Sequence, residues 1–246
     1  MARRDTILAR ANELLEIERW PEFGPPGMQV VGGDEVTALA CGVSASLEVI
    51  EHAVATGAQL LIVHHGLFWS SEPLVVDRRL RGRLEALFAA DLTLAAYHLA
   101  LDAHPELGNN ARLAHEIGVA PDEQFAEVGL GGRTEPTTVS ALADRVARAV
   151  ERDPLVFAEG PERIERVAIV TGGGGRYLIA AAHAGYDALV TGEPEEPSRA
   201  AARELGIHFL AAGHHATERL GVQALSAKLA DEFGLTWTFV DVDNPV

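Results

Sequence analysis

Residues 60–63 form an uninterrupted apolar run that stops abruptly at His64 and His65, and runs of this kind constrain the fold most. A short continuous apolar stretch reads as a buried strand. Strand-like runs recur near 36–42 and 92–97, and again near 187–191 and 207–212. Helical periodicity fills intervals near 46–56, 77–89, 109–117 and 176–184, with further helices expected over 4–16 and 216–233. "TWTFVDV" closes the chain as a strand. Strand and helix in alternation predict an α/β fold with mainly parallel sheets. Residues 121–165 depart from that rhythm, with "GLGGRTEP", a helix at "TVSALADRVARAV" and a strand at "PLVFAEG". The expected division is a first α/β lobe over 1–120, a small inserted α/β segment over 121–165 and a second lobe over 166–246.

Two stretches resemble each other. "AVATGAQLLIVHH" (53–65) overlays "AAHAGYDALVTGE" (181–193), and "LTLAAYHLALD" (92–102) overlays "HFLAAGHHATE" (208–218). The overlay sets Gly57 on Gly185, His98 on His214 and Asp102 on Glu218. It predicts a duplicated α/β unit whose corresponding strand ends approach a shared cleft, where such sheets usually hold ligands.

Composition narrows the function classes. A chain of 246 residues, 48% hydrophobic and 23% charged, is that of an ordinary globular protein. A net charge of −16 opposes phosphate backbones, so nucleic acid is not an expected partner. No apolar run approaches the roughly 18 residues needed to span a bilayer. The charged opening helix also lacks the pattern of a secretory signal. Cys41, the single cysteine, rules out an internal disulfide. A cytoplasmic location is expected.

Three elements carry chemistry. Strand alternation would send His64 and His65 to opposite faces, but the chain turns at once into "GLFW", so both rings could reach one site. Taken alone, the pair reads equally as the polar end of a strand. "YHLALDAHPELGNN" places His98 and Asp102 around the next strand end. Asp102 is expected on a loop ahead of Pro105, and Asn109 as the N-cap of the following helix. In "GHHATERLGV", His214 and Glu218 stand at i and i+4, on one face of an opening helical turn. His64, His65, Asp102, His214 and Glu218 together make a mixed nitrogen and oxygen donor set suited to Zn, Mn, Fe or Ni. Five donors with a carboxylate able to bridge predict two divalent ions per chain. "TGGGGRY" (171–177) reads as a strand-to-helix turn without the endings of a P-loop or dinucleotide motif. Glu193, set on His65 by the overlay, reads as a solvated loop acid or as an acid beside the cleft, His215 as a neighbour of the site, and His104 as a structural loop histidine or a substrate donor.

"LLIVHHGLFW", "LALDAHPELGNNARLA", "TGGGG" with "GYDALVTGE", and "AAGHHATERLGVQALSAKL" resemble the motifs of the YbgI/Nif-three-like dinuclear metal proteins. The likeness covers nearly the whole chain and is weakest over 121–165. It implies two related α/β lobes with the metals in the cleft between them. It also implies that His64, His65, Asp102, His214 and Glu218 are the ligands, with Glu218 bridging and His98 close by. A ring-shaped homohexamer with sites facing an internal cavity is implied as well. Members are often labelled GTP cyclohydrolase 1 type 2 homologues. The function expected on these grounds is a metal-dependent hydrolase acting on a nucleotide-like or cyclic amide or phosphate substrate, with Glu218 and His98 in catalytic roles. The alternative is a metal-dependent binding or regulatory ring protein without turnover.

Overall fold

The computed structural model describes residues 1–246, which form two compact units. One comprises Met1–Leu101 with Val222–Asp243, and the other Asp102–Gly221 with Asn244–Val246. The chain opens with β1 (Ala2–Arg3), α1 (Arg4–Leu15), β2 (Gly27–Val30), β3 (Glu35–Val36) and β4 (Ala38–Ser44). Next come α2 (Leu47–Ala55), β5 (Leu60–His65), α3 (Arg78–Ala89), β6 (Thr93–Ala96) and the short α4 (Leu99–Asp102). They are followed by α5 (Asn109–Glu116), β7 (Val119–Phe125), β8 (Gly129–Thr137), α6 (Val139–Val150) and β9 (Leu155–Phe157). The chain then runs through β10 (Ile164–Val170), α7 (Leu178–His183), β11 (Ala188–Thr191) and α8 (Ser198–Leu205). It ends with β12 (His208–Ala211), α9 (His214–Phe233) and β13 (Thr236–Phe239).

The first unit is built on a five-stranded sheet of order β13-β4-β5-β6-β2. The first four of these strands run parallel, and β2 joins the edge antiparallel to β6. Parallel sheets are covered on both faces, which is why the central strand β5 carries no polar residue until His64. Its Leu61 and Val63 enter a core with Val49, Ile50, Leu87 and Leu94. The covering helices start at side-chain caps that each satisfy a terminal N–H. Ser46 Oγ accepts from the Val49 N–H at 3.2 Å for α2, and the Asp77 carboxylate from the Leu80 N–H at 2.8 Å for α3.

The second unit holds a six-stranded sheet of order β7-β8-β10-β11-β12-β9. β10, β11 and β12 are parallel, with β8 antiparallel to β10 and β9 antiparallel to β12. The expected boundaries at 120 and 165 are displaced. The β7–β8 hairpin and β9 are strands of this same sheet, so 121–165 is not a separate insert. β13 pairs with β4, so the chain beyond Gly221 largely belongs with the first unit. Ladder hydrogen bonds, not chain order, decide the grouping.

The duplication is visible in topology. The parallel strands β4, β5 and β6 with antiparallel β2 repeat as β10, β11 and β12 with antiparallel β9. Leu60 pairs with Thr93 as Ala188 pairs with His208. β5 therefore matches β11 as the sequence overlay sets them, while Thr93 rather than Leu92 is the counterpart of His208. Leu61 is fully buried at the centre of the first sheet. Leu61→Ala is expected to lower the unfolding free energy by about 2–5 kcal/mol, read as a fall in urea midpoint at unchanged slope.

Candidate metal centre

Parallel strands deliver side chains to their carboxyl ends, and every candidate ligand but Asp102 follows one closely. In the first unit His64 and His65 end β5, and His98 lies two residues past β6. His64 is fully buried, and its Nδ1 lies 2.9 Å from the Tyr97 carbonyl oxygen. A carbonyl only accepts, so Nδ1 carries the proton and Nε2 the lone pair. Tyr97 is itself anchored, its hydroxyl donating to Asn12 Oδ1 at 2.9 Å. His65 Nδ1 lies 3.0 Å from Ser44 Oγ, on the neighbouring strand β4 where Ser44 and His65 are register partners. The His64 and His65 ring centroids are 4.7 Å apart, and His98 stands 4.8 Å and 5.5 Å from them. One ligand nitrogen from each of the three lies within 4.8 Å of the others. The end of β5 thus converges its two imidazoles instead of splaying them.

In the second unit α9 begins at His214, so the predicted i, i+4 pair falls in its first turns. His214 Nε2 lies 3.1 Å from Glu218 Oε1, and Nδ1 lies 2.7 Å from Glu193 Oε1. Burial disfavours the imidazolium, but the hydrogen bonds and charges of Glu218 and Glu193 outweigh it, so His214 is pushed up to about 9. Glu218 is buried, as is Asp102. Asp102 Oδ1 accepts from Asn109 Nδ2 at 2.8 Å, and Asn109 Oδ1 accepts from the Gly221 N–H at 2.7 Å. Asn109 thereby ties Asp102 to α9 one turn beyond Glu218. Asn110 adds a second tie, donating to the Asp102 and Val128 carbonyls and accepting the Thr171 N–H at 2.9 Å.

These details correct three expectations. Asp102 is the last residue of α4, not a loop residue. Gly108 occupies the N-cap position of α5, which frees the Asn109 side chain for its bridge. Glu193, two residues past β11 and partly exposed, is a hydrogen-bond partner of His214 and so more than a solvated loop acid. Its position opposite His65 in the sequence overlay was the signal. His104 Nδ1 accepts the N–H groups of Glu106 and Leu107. His215 is buried, and its backbone N–H donates to the Val246 oxygen at 2.9 Å.

The residues fit a divalent cation. Imidazole nitrogens and carboxylate oxygens are the donors that borderline metals take. Gly172, at φ +64, brings its backbone so close to the His214–Glu218 pair that a Cβ would overlap Glu218 Oε1 and stand 3.1 Å from His214 Nε2. Its N–H donates to Thr217 Oγ1 at 3.0 Å, which locks the turn to α9. No helix is long and apolar enough to cross a membrane.

The profile of the Duf34/NIF3 (NGG1p interacting factor 3) family matches residues 2–245. A protein of Vibrio cholerae serotype O1 named GTP cyclohydrolase 1 type 2 homolog is 43% identical over 245 residues, covering 97% of each chain. One of the same name from Escherichia coli K12 is 44% identical over 236 residues, 95% of this chain and 96% of its own. The solved structure of protein ybgI, whose function is given as unknown, has a TM-score of 0.96 at 41% identity and covers both chains fully. Glu193→Gln removes the anionic partner that orients His214. It is expected to weaken zinc binding about 10–100-fold with the fold intact, measured by competition with a chromophoric chelator.

Proposed function

Because the chain belongs to the Duf34/NIF3 family, we propose that it is a dinuclear metal protein acting as a metal-dependent hydrolase. His64, His65, Asp102, His214 and Glu218 are the residues that would hold two divalent ions of the Zn, Mn, Fe or Ni class, Glu218 being the carboxylate that could serve both. One observation carries the reading. Each of the three histidines has Nδ1 engaged by a protein oxygen, of Tyr97, Ser44 and Glu193 in turn. Metal-bound histidines are held this way, since the outer partner fixes ring orientation and presents Nε2 to the ion. Packing alone gives no reason for three rings at strand ends to share it.

The ions, when bound, would lower the pKa of water and stabilise negative charge in the transition state. The chain's own residues do the rest. Glu193 holds the proton at His214 Nδ1, and the Tyr97 carbonyl holds that at His64 Nδ1. Asn109 and Asn110 fix Asp102. The backbone of Gly172 walls one side of Glu218. His98 stands beside the imidazole pair. A nucleotide-like or cyclic amide or phosphate compound is the proposed substrate class, on the strength of the names that the Vibrio cholerae and Escherichia coli relatives carry.

Elemental mass spectrometry should find about two transition-metal ions per wild-type chain. His64→Ala and Glu218→Ala variants that stay folded should lose them. Absence of metal, with none taken up on reconstitution, would overturn the reading. With metal in place, Glu218→Gln should abolish hydrolysis across a panel of nucleotides, cyclic amides and phosphate esters. Retained metal with no turnover on that panel would favour metal-dependent binding instead.

Assembly into a homohexameric ring is proposed on the family likeness. Leu74, Val75, Val76 and Phe88 are exposed apolar side chains that contacts between copies could cover. Light scattering should return the mass of six chains, and that of a single chain would refute the ring.

A further inference from the structure

We propose that Glu22 is a positioning residue of the metal centre, acting through His98, and that His98 supplies that centre with a third imidazole from the first unit. The inference rests on the dinuclear reading and extends it to two residues outside the five-ligand set.

Glu22 belongs to the Pro- and Gly-rich turn "PEFGPPG" between α1 and β2. Its side chain is only 4% exposed. Oε2 accepts the Leu99 N–H at 3.0 Å and Oε1 accepts the Ala100 N–H at 2.8 Å, the first two N–H groups of α4. The same carboxylate stands 3.5 Å from His98 Nδ1, a buried nitrogen that makes no hydrogen bond. Glu22, His64 and His98 line one small cavity together with Phe68 and Trp69.

Capping alone does not account for this carboxylate. A helix start is ordinarily satisfied by a Ser, Thr, Asp or Asn at the N-cap itself. Here that position is taken by His98, and the acceptor comes from 77 residues away in sequence. Burying an anion is costly unless it is matched by donors or a positive charge. Two backbone N–H groups match part of it, and an imidazole N–H aimed at Oε2 would match the rest.

The ring of His98 is confined on the remaining sides. Trp69 meets it edge-on at 5.1 Å and Phe23 lies at 5.7 Å. With Nδ1 turned to Glu22, Nε2 is the nitrogen left for the His64–His65 cluster. Closing that 3.5 Å gap to a hydrogen bond would give the carboxylate–histidine pattern of a metal ligand, the pattern that Glu193 and His214 already form at 2.7 Å in the second unit. The same carboxylate holds the start of α4, the turn that ends in Asp102.

The test is titration of the metal-stripped, full-length protein with Co2+, reading affinity together with the visible ligand-field spectrum. His98→Gln and Glu22→Gln should each weaken binding of one ion by about 10–100-fold and shift the spectrum. The double variant should bind no more weakly than His98→Gln alone. A capping role would lower thermal stability in Glu22→Gln and leave the spectrum unmoved. Should Glu22→Gln fail to fold, Glu22→Asp, which keeps the charge but withdraws it from His98, should show the same weakening. Wild-type spectra and affinities in the folded single variants would overturn the inference, as would a Glu22→Gln effect undiminished in the His98→Gln background. A wild-type chain that takes up no Co2+ would instead sink the dinuclear reading on which the inference stands.

Discussion

β5 is hydrogen-bonded to parallel strands on both edges and buried through its apolar length, and the direction it imposes decides where chemistry can occur. A strand locked on both sides cannot slip without turning its side chains to the wrong face. The position of His64 and His65 is therefore set by the pairing of Leu39, Ala40 and Cys41 with Leu60, Leu61 and Ile62, far from either imidazole. The register brings Ser44 beside His65, and the Tyr97 N–H donates to the Val63 carbonyl while its own carbonyl takes His64. The outer hydrogen bonds of the site are in this sense continuations of the ladder.

The second unit repeats the device with different chemistry. Past its parallel strands come Gly172, Glu193 and His214 in place of an imidazole pair. Two carboxylates on one imidazole favour its charged form, which pushes His214 up despite its burial. The acidity of the whole chain works in the same direction at long range, raising the local concentration of cations near the surface.

Much of this is legible in the sequence. The apolar run ending in His64 and His65 marks the centre of the first sheet, and a four-residue spacing marks the His214–Glu218 face, because both signals are local. What escaped was set by pairing across long stretches of chain. Nothing in "PLVFAEG" distinguishes an edge strand of the second sheet from part of an insert until Val156 is seen opposite Leu210. Likewise "TWTFVDV" reads as a strand but does not say that its partner is β4, some two hundred residues earlier. Asn109 looked like a cap because Asn so often is one. Its bridge between Asp102 and Gly221 depends on an approach that no local pattern encodes.

The glycines show the same limit from the other side. "TGGGG" invites a phosphate-binding interpretation, since such loops cradle anions with backbone N–H groups. Yet the Gly172 N–H is already given to Thr217, and the bare Cα of Gly172 faces the Glu218 carboxylate. Gly221 answers it on α9, where a Cβ would come within 2.7 Å of Asn109 Oδ1. Both positions are bare for one reason: a carboxylate or an amide must come closer to the backbone than any side chain would permit. Glycine at these two positions thus marks where the Glu218 carboxylate and the Asn109 amide that holds Asp102 pack against backbone.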